Sequence, residues 1–430
     1  MNCFCLPFFN IHSFVDLQET KPLIPKSSVI KVMPEHIAVT RFREYLRIKT
    51  VQPSPDYKAS TRFFKSYAAE LGLDFDVIEI VAGKPIVVLT WKGSKPELSA
   101  VMLNSHVDVV PVSESDWKYP PFDAVKDSQG NIYGRGAQDM KCVAIAYLES
   151  IRMLKSVNFV PSRSIHVTLV PDEEIGGDDG MRVWLPTVHF KALDIGFALD
   201  EGQANADDSY RVYYGERAPW WIKITAKGNA GHGSQFIEPS ATGRLIKVLD
   251  KFVQFRDAEQ MRMLNGINAE GRPLTLGDVT TTNVTLINTG HQFNVVPEIA
   301  TAGVDMRVSP LVNFNALERT IRSWCDEHEA ELEFQQQCLI NATTPLTKDN
   351  PWWCAIQQVA ATKNVSLVPE IFPAATDSRY LREAGIPAIG ISPIRNTPVL
   401  LHDHNEFLNE TCLLEMVDFY VKLLPSILVI

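Results

Sequence analysis

The chain is poor in several things, and each scarcity narrows what it can be. No stretch reaches the roughly 18 apolar residues of a membrane helix, and the apolar C-terminus, Leu423 to Ile430, is short and interrupted by Pro425. No basic cluster is longer than two residues, and 51 acidic residues outnumber 41 Lys and Arg, for a net charge of −10. A nucleic-acid surface needs a basic stripe, so that class of partner is excluded. Cysteine is scarce too: there are seven, and none has zinc-finger spacing. Cys3 and Cys5 are close but stand alone in an N-terminal tail. An odd, dispersed set reads as free thiols in a reducing compartment, and a cytoplasmic location is expected. Phe4 to Phe9 is apolar, but it lacks a basic flank and is followed by Asn10, His12 and Asp16. It reads as part of a loose, disordered extension over residues 1–34, not as a secretory leader. Four Asn-x-Ser/Thr sequons, at Asn283, Asn341, Asn364 and Asn409, weigh only mildly toward secretion.

What remains is an ordinary globular composition, 45% apolar and 21% charged, on 430 residues. That length is too great for one core, so two domains are expected. Residues 35–212 alternate short apolar runs with helical periods. Ala100 to Leu103, Ser164 to Val170 and Ile195 to Leu199 read as buried strands, and Met140 to Leu154 as a helix. Strand–helix–strand order predicts an α/β fold: a mixed, mostly parallel sheet with helices on both faces. Residues 213–340 read differently. Trp220–Ala226, Thr281–Ile287, Thr301–Val308 and Glu331–Leu339 are strand-like, while Pro239–Phe255 and Phe314–His328 are helical. This β-α-β-β-α-β order predicts a small sheet with helices on one face, an inserted α+β lid or dimerisation domain. The first pattern returns in 341–430, so the main domain is written in two pieces, 35–212 and 341–430. The Trp220-Trp221 and Trp352-Trp353 pairs are expected in cores.

One set of residues stands out by its order. His106 and Asp108 sit in Asn104-Ser-His-Val-Asp108. Asp139 follows in Gly136-Ala-Gln-Asp139, then Glu173 and Glu174 before Gly176-Gly177, then Asp200-Glu201-Gly202, and far downstream His402 and His404. Each of the pairs at 106, 173 and 200 falls just after a predicted strand, at the carboxyl edge where such sheets build sites. Imidazole suits zinc, and carboxylates can bridge two cations, so two His with three carboxylates suit two zinc ions sharing a water. Singly, each signal has a plainer explanation: a surface His-x-Asp pair, an Asp that caps a helix, two solvated loop acids. On a strand, His106 and Asp108 share a face. His106 is read as a ligand, with Asp108 orienting a histidine from behind. The adjacent acids divide their labour: Glu174 binds metal, and Glu173 stays free to take a proton from the attacking water and pass it to the leaving amine.

These motifs, together with Tyr45–Pro53, Glu216–Trp221, Pro373–Tyr380 and Thr397–His404, resemble the aminoacylase-1 family of dizinc amidohydrolases, within a larger clan of zinc exopeptidases. The resemblance runs from about residue 38 to the C-terminus. It implies a zinc-exopeptidase-like main domain holding two zinc ions per subunit, with Asp139 bridging them. It favours Glu201 over Asp200 because the family's ligand immediately precedes Gly. It favours His402 over His404 because His402 lies four residues before the acid Glu406. It also implies a homodimer in which His232, from the inserted domain, reaches the partner subunit's site and helps stabilise the tetrahedral intermediate. Asn294 and Arg379 would hold polar groups of the substrate, and a guanidinium fork suits a free α-carboxylate. The implied reaction is hydrolysis of a small N-acyl-L-amino acid to a carboxylate and a free amino acid. The alternatives are a dipeptidase or carboxypeptidase of the same clan, which share this chemistry. A non-catalytic binding protein on the fold would typically lack the base or a ligand, and here all are present.

Overall fold

The computed structural model describes residues 34–268 and 271–430. The extension expected over residues 1–34 lies, but for Pro34, outside the described residues, as do Cys3 and Cys5. The main sheet has eight strands, in the spatial order Asp74–Val81, Lys84–Trp91, Ile165–Val170, Ala100–His106, Ile195–Asp200, Ala388–Gly390, Ser209–Glu216 and Ser366–Phe372. The central four are mutually parallel. Antiparallel pairs join the first three strands, so the sheet is mixed, as expected. Apolar alternation sends Val87, Leu89, Val101 and Leu103 to one face and Ile86, Val88 and Met102 to the other. The first face is covered by helices that include Ile37–Leu46, Lys141–Ser156 and Glu410–Ile427. Lys141–Ser156 and Glu410–Ile427 meet at Tyr147 and Tyr420, whose rings lie 4.7 Å apart. The second face buries Met181, Trp184, Phe190 and Leu381 from short helices.

A second sheet of four antiparallel strands runs in the order Thr281–Thr289, Ile299–Val308, Ala218–Lys227, Ala330–Gln337. Its core is separate. Trp220, Ile222, Ile224, Ala302, Val304 and Met306 pack on Leu245, Val248, Phe252 and Ile321 from the helices Ala241–Asn265 and Phe314–Glu327. The first of these helices runs ten residues beyond the expected end at Phe255. The strand period also corrects the reading of the tryptophans. Trp220 is fully buried, but its neighbour Trp221 points to the other face and is 48% exposed. Trp353 is buried, and Trp352 is half-buried, stacked on Phe197 at 4.8 Å.

The seam between the sheets is short. Only Arg217 separates strand Ser209–Glu216 from strand Ala218–Lys227, and it is buried, donating to the Pro373 carbonyl and to Thr281 Oγ1. Beside it, Glu216 accepts from Thr376 N, Thr376 Oγ1 and Arg382 Nη1. A buried ion pair supplied with these extra donors satisfies its lone pairs, which offsets part of the desolvation cost.

Candidate metal centre and active site

Three parallel strands end at one place and carry the acids and histidines there. His106 is the last residue of strand Ala100–His106, and Glu201 follows the last residue of strand Ile195–Asp200. Glu173 and Glu174 form a tight turn two residues after strand Ile165–Val170. Asp139 stands ahead of the helix Lys141–Ser156. The cap residue of that helix is Met140, and Asp139 spends its carboxylate elsewhere.

Asp139 faces two histidines, one with each oxygen. Oδ1 lies 2.9 Å from His106 Nε2, and Oδ2 lies 3.4 Å from His402 Nε2. Beyond His106 sits Glu201, 3.6 Å from the same Nε2, and beyond His402 sits Glu174 at 3.0 Å. The five residues thus fall into two three-donor halves sharing one carboxylate. The donor atoms of His106, Asp139 and Glu174 lie within 4.8 Å of one another, as do those of His106, Glu173 and Glu201. His106 Nδ1 donates to the backbone carbonyl of Asp108 at 2.9 Å, which aims Nε2 at the cluster. The Asp108 carboxylate is 3.8 Å from that nitrogen and has other partners, the backbone N–H groups of Glu173 and Glu174 at 3.1 and 3.2 Å. Gln52 Nε2 also donates to it at 2.9 Å, so the carboxylate is held by Gln52 and the glutamate turn, while the backbone carbonyl meets the imidazole.

The paired candidates separate cleanly. Asp200 accepts hydrogen bonds from Asn104, Glu201 N and Ser378 at 3.1, 2.9 and 2.7 Å, so it is fully engaged among the strand ends. Glu201 is the one turned to His106. His404 is exposed and lies 3.9 Å from Asp116, away from Asp139 and Glu174. The buried Glu406 accepts from Gly136 N, Gln138 N, Asp139 N and Arg135 Nη1, which fixes the loop that presents Asp139.

The electrostatics show what this arrangement lacks. Burial, then the charge of Glu201, pushes Glu173 well above the ordinary carboxylate range. Burial, then Asp139, does the same to Glu201 and lifts Glu174 to about 7. Hydrogen bonds to Asp139 and Glu174 raise His402 to about 10. Crowded, desolvated carboxylates of this kind call for positive charge, and a carboxylate–imidazole donor set suits divalent first-row cations. The residues fit a pair of such ions.

A pH dependence follows for chelated protein. Glu174 titrates near 7 when folded, against an ordinary 4.5. Between those values the folded chain binds a proton that the unfolded chain does not, so this contribution to stability falls as pH rises through the window. His402 acts in the same direction: its contribution is full below its ordinary 6.5 and is lost as pH rises through about 10. The Tm of chelated protein is expected to fall as pH rises from about 5 to about 7, and added zinc should abolish that fall. Scanning calorimetry checks this; a Tm rising with pH in the chelated sample would refute it.

The remaining candidates form two groups. Arg379 donates to the Gly176 carbonyl at 2.6 Å and to Tyr380 Oη at 3.0 Å, directly behind the glutamate turn. A cleft of about 580 Å³ runs from Ile175 and Gly176 past Arg379 to Trp221 and Leu339. His232 and Asn294 come together elsewhere, on a short two-stranded ribbon in which His232 pairs with Val295 and Gly233 N donates to the Asn294 carbonyl. Both are exposed, as are Phe236 and Phe293 beside them. The structure does not bring this pair into the carboxylate cluster's hydrogen bonds. Sequence reasoning gave no role to Gln52, Tyr57, Asn104, Asp172 or Ser378, and it placed Trp221 in a core. Gln52, Asn104, Asp172 and Ser378 lie in or beside the quoted motifs, and that proximity is the only signal that could have found them.

Residues 102–426 match the model of peptidase family M20/M25/M40. Aminoacylase-1 of Homo sapiens is 48% identical over 395 residues, spanning 91% of this chain and 96% of its own length. A metallo-carboxypeptidase of the M20 family from Sulfolobus solfataricus superposes with a TM-score of 0.68 at 16% identity, over 93% of this chain and 100% of that one. The Bacillus subtilis YXEP protein, described as a dinuclear metal binding peptidase, superposes with a TM-score of 0.62 at 14% identity, over 91% and 98% of the two chains.

Proposed function

The chain belongs to peptidase family M20/M25/M40 and to its aminoacylase-1 branch, and on that premise we propose that it hydrolyses N-acyl-L-amino acids to a carboxylate, such as acetate, and a free amino acid. The single observation that carries the site is Asp139 facing His106 with one oxygen and His402 with the other. His106, Asp139 and Glu201 would hold one zinc ion, and His402, Glu174 and Asp139 the second. Bound there, the ions supply Lewis acidity and offset the carboxylate charge. The protein's own groups do the rest. Glu173, half-buried with its carboxylate grouped beside His106 and Glu201, acts as the general base that takes a proton from water and returns it to the leaving amine. Arg379, which lines the cleft together with Trp221, pairs with the substrate's α-carboxylate.

Release of free amino acid from N-acetyl-methionine should exceed release from a dipeptide, and a chelator should abolish it. Faster dipeptide cleavage would favour the dipeptidase reading.

His232 and Asn294 belong to the second sheet's segment, 213–340, which acts as lid and dimerisation domain of a cytoplasmic homodimer. Phe236 and Phe293 support this reading, since two bare phenylalanines close in sequence to one ribbon are expected to meet another surface. His232 then completes the partner subunit's site and helps hold the oxyanion. His232→Ala and Glu173→Gln proteins should each be nearly inactive, yet regain activity when mixed under subunit exchange. No recovery despite proven exchange would leave closure within one chain as the better account.

A further inference from the structure

The glutamate turn is held from a distant part of the chain. Residues 50–52 run as a short parallel bridge beside Val109, with Gln52 N donating to Val109 O and Val109 N to Thr50 O, both at 2.9 Å. This sets Gln52 between two buried carboxylates. Its Nε2 donates to Asp108 Oδ2 at 2.9 Å and to Asp172 Oδ1 at 3.1 Å. An amide offers two N–H groups and no charge, so it can join two carboxylates that would otherwise repel. Five residues on, Tyr57 opens the helix Tyr57–Leu71. Its hydroxyl donates to Asp172 Oδ1 at 2.5 Å and accepts the Asp172 backbone N–H at 3.0 Å. The other oxygen of Asp172 is paired with Lys84.

Asp172 needs this support. It is not a glycine, yet its φ is 64° and its ψ 22°, the left-handed conformation that turns the chain out of the strand. The next two residues are Glu173 and Glu174, whose N–H groups end on Asp108. Gln52, Tyr57, Asp108 and Asp172 therefore form one network that holds the turn carrying Glu173.

We infer that Gln52 and Tyr57 are positioning residues for the hydrolysis, holding Asp172 so that Glu173 meets the attacking water. This rests on Glu173 as the base. A misplacement on the order of 1 Å at a reacting group costs up to about 100-fold, and loss of partners behind a metal ligand costs about 10- to 100-fold.

The test measures holoenzyme kinetics and bound zinc in Gln52→Ala, Tyr57→Phe, the double variant and Glu173→Gln. Tyr57→Phe removes one hydroxyl and keeps the packing, so it serves even where Gln52→Ala folds poorly. The single variants should keep two zinc ions, lose about 10- to 100-fold in kcat and change KM by less than about threefold. The double variant should lose less than the product of the two, because both hold the same carboxylate. Normal kcat per zinc-loaded enzyme, with lower zinc or a lower Tm alone, would overturn the inference, as would a loss confined to KM. Should Glu173→Gln itself turn over normally, the base is misassigned; should it fail while Tyr57→Phe is normal, the positioning role alone is refuted.

Discussion

Glu173→Gln is expected to keep both metal ions and lose two or more orders of magnitude in kcat, the scale of general-base catalysis. Two orders correspond to roughly 2.7 kcal/mol of barrier. The substitution is close to isosteric and removes only the basic oxygen. The N–H of residue 173 still meets Asp108, so the turn should persist. Its neighbour should behave differently. Glu174 faces His402 at 3.0 Å, and Glu174→Gln should lower metal content as well as turnover. Metal analysis beside steady-state kinetics separates the two. Near-normal turnover in Glu173→Gln would show that the roles of the two acids are wrongly assigned.

The second large effect concerns Asp139. Each of its oxygens faces a different histidine, and under the proposed bridging role Asp139→Ala should lose most of both ions and all measurable activity. Loss of a residue that served one half would leave the other ion in place. Elemental analysis of the purified variant decides the matter, and retention of two ions per chain would remove the bridging role.

Much of this was legible beforehand for simple physical reasons. The strand Ala100–His106 opens with the continuous apolar run Ala100 to Leu103 because both faces are covered, and the helix Lys141–Ser156 has few breakers. The order of acids after strands was visible because parallel sheets gather strand ends on one edge. What was hidden depended on direction. Nothing local says that Asp200 turns back to Asn104 and Ser378 while Glu201 turns to His106. Trp221 looks like its neighbour Trp220 until the strand's pleat assigns them to opposite faces. Gln52 lies in the Tyr45–Pro53 segment, but its role depends on two partners 56 and 120 residues away. The two-residue strands Gly231–His232 and Val295–Val296 are too short for any periodicity to reveal.

The strand order has a consequence for biosynthesis. Ala388–Gly390 lies between Ile195–Asp200 and Ser209–Glu216, so the centre of the main sheet has a place that its own flanking strands cannot fill. A ribosome delivers that strand long after both neighbours, with the whole second sheet made in between, and His402 later still. The second sheet, whose contacts are nearer in sequence, can form meanwhile, while the first waits with apolar edges open. Maturation thus has a set order: the main sheet closes late, and the pairing of Asp139 with both histidines can only follow the arrival of the segment that carries His402.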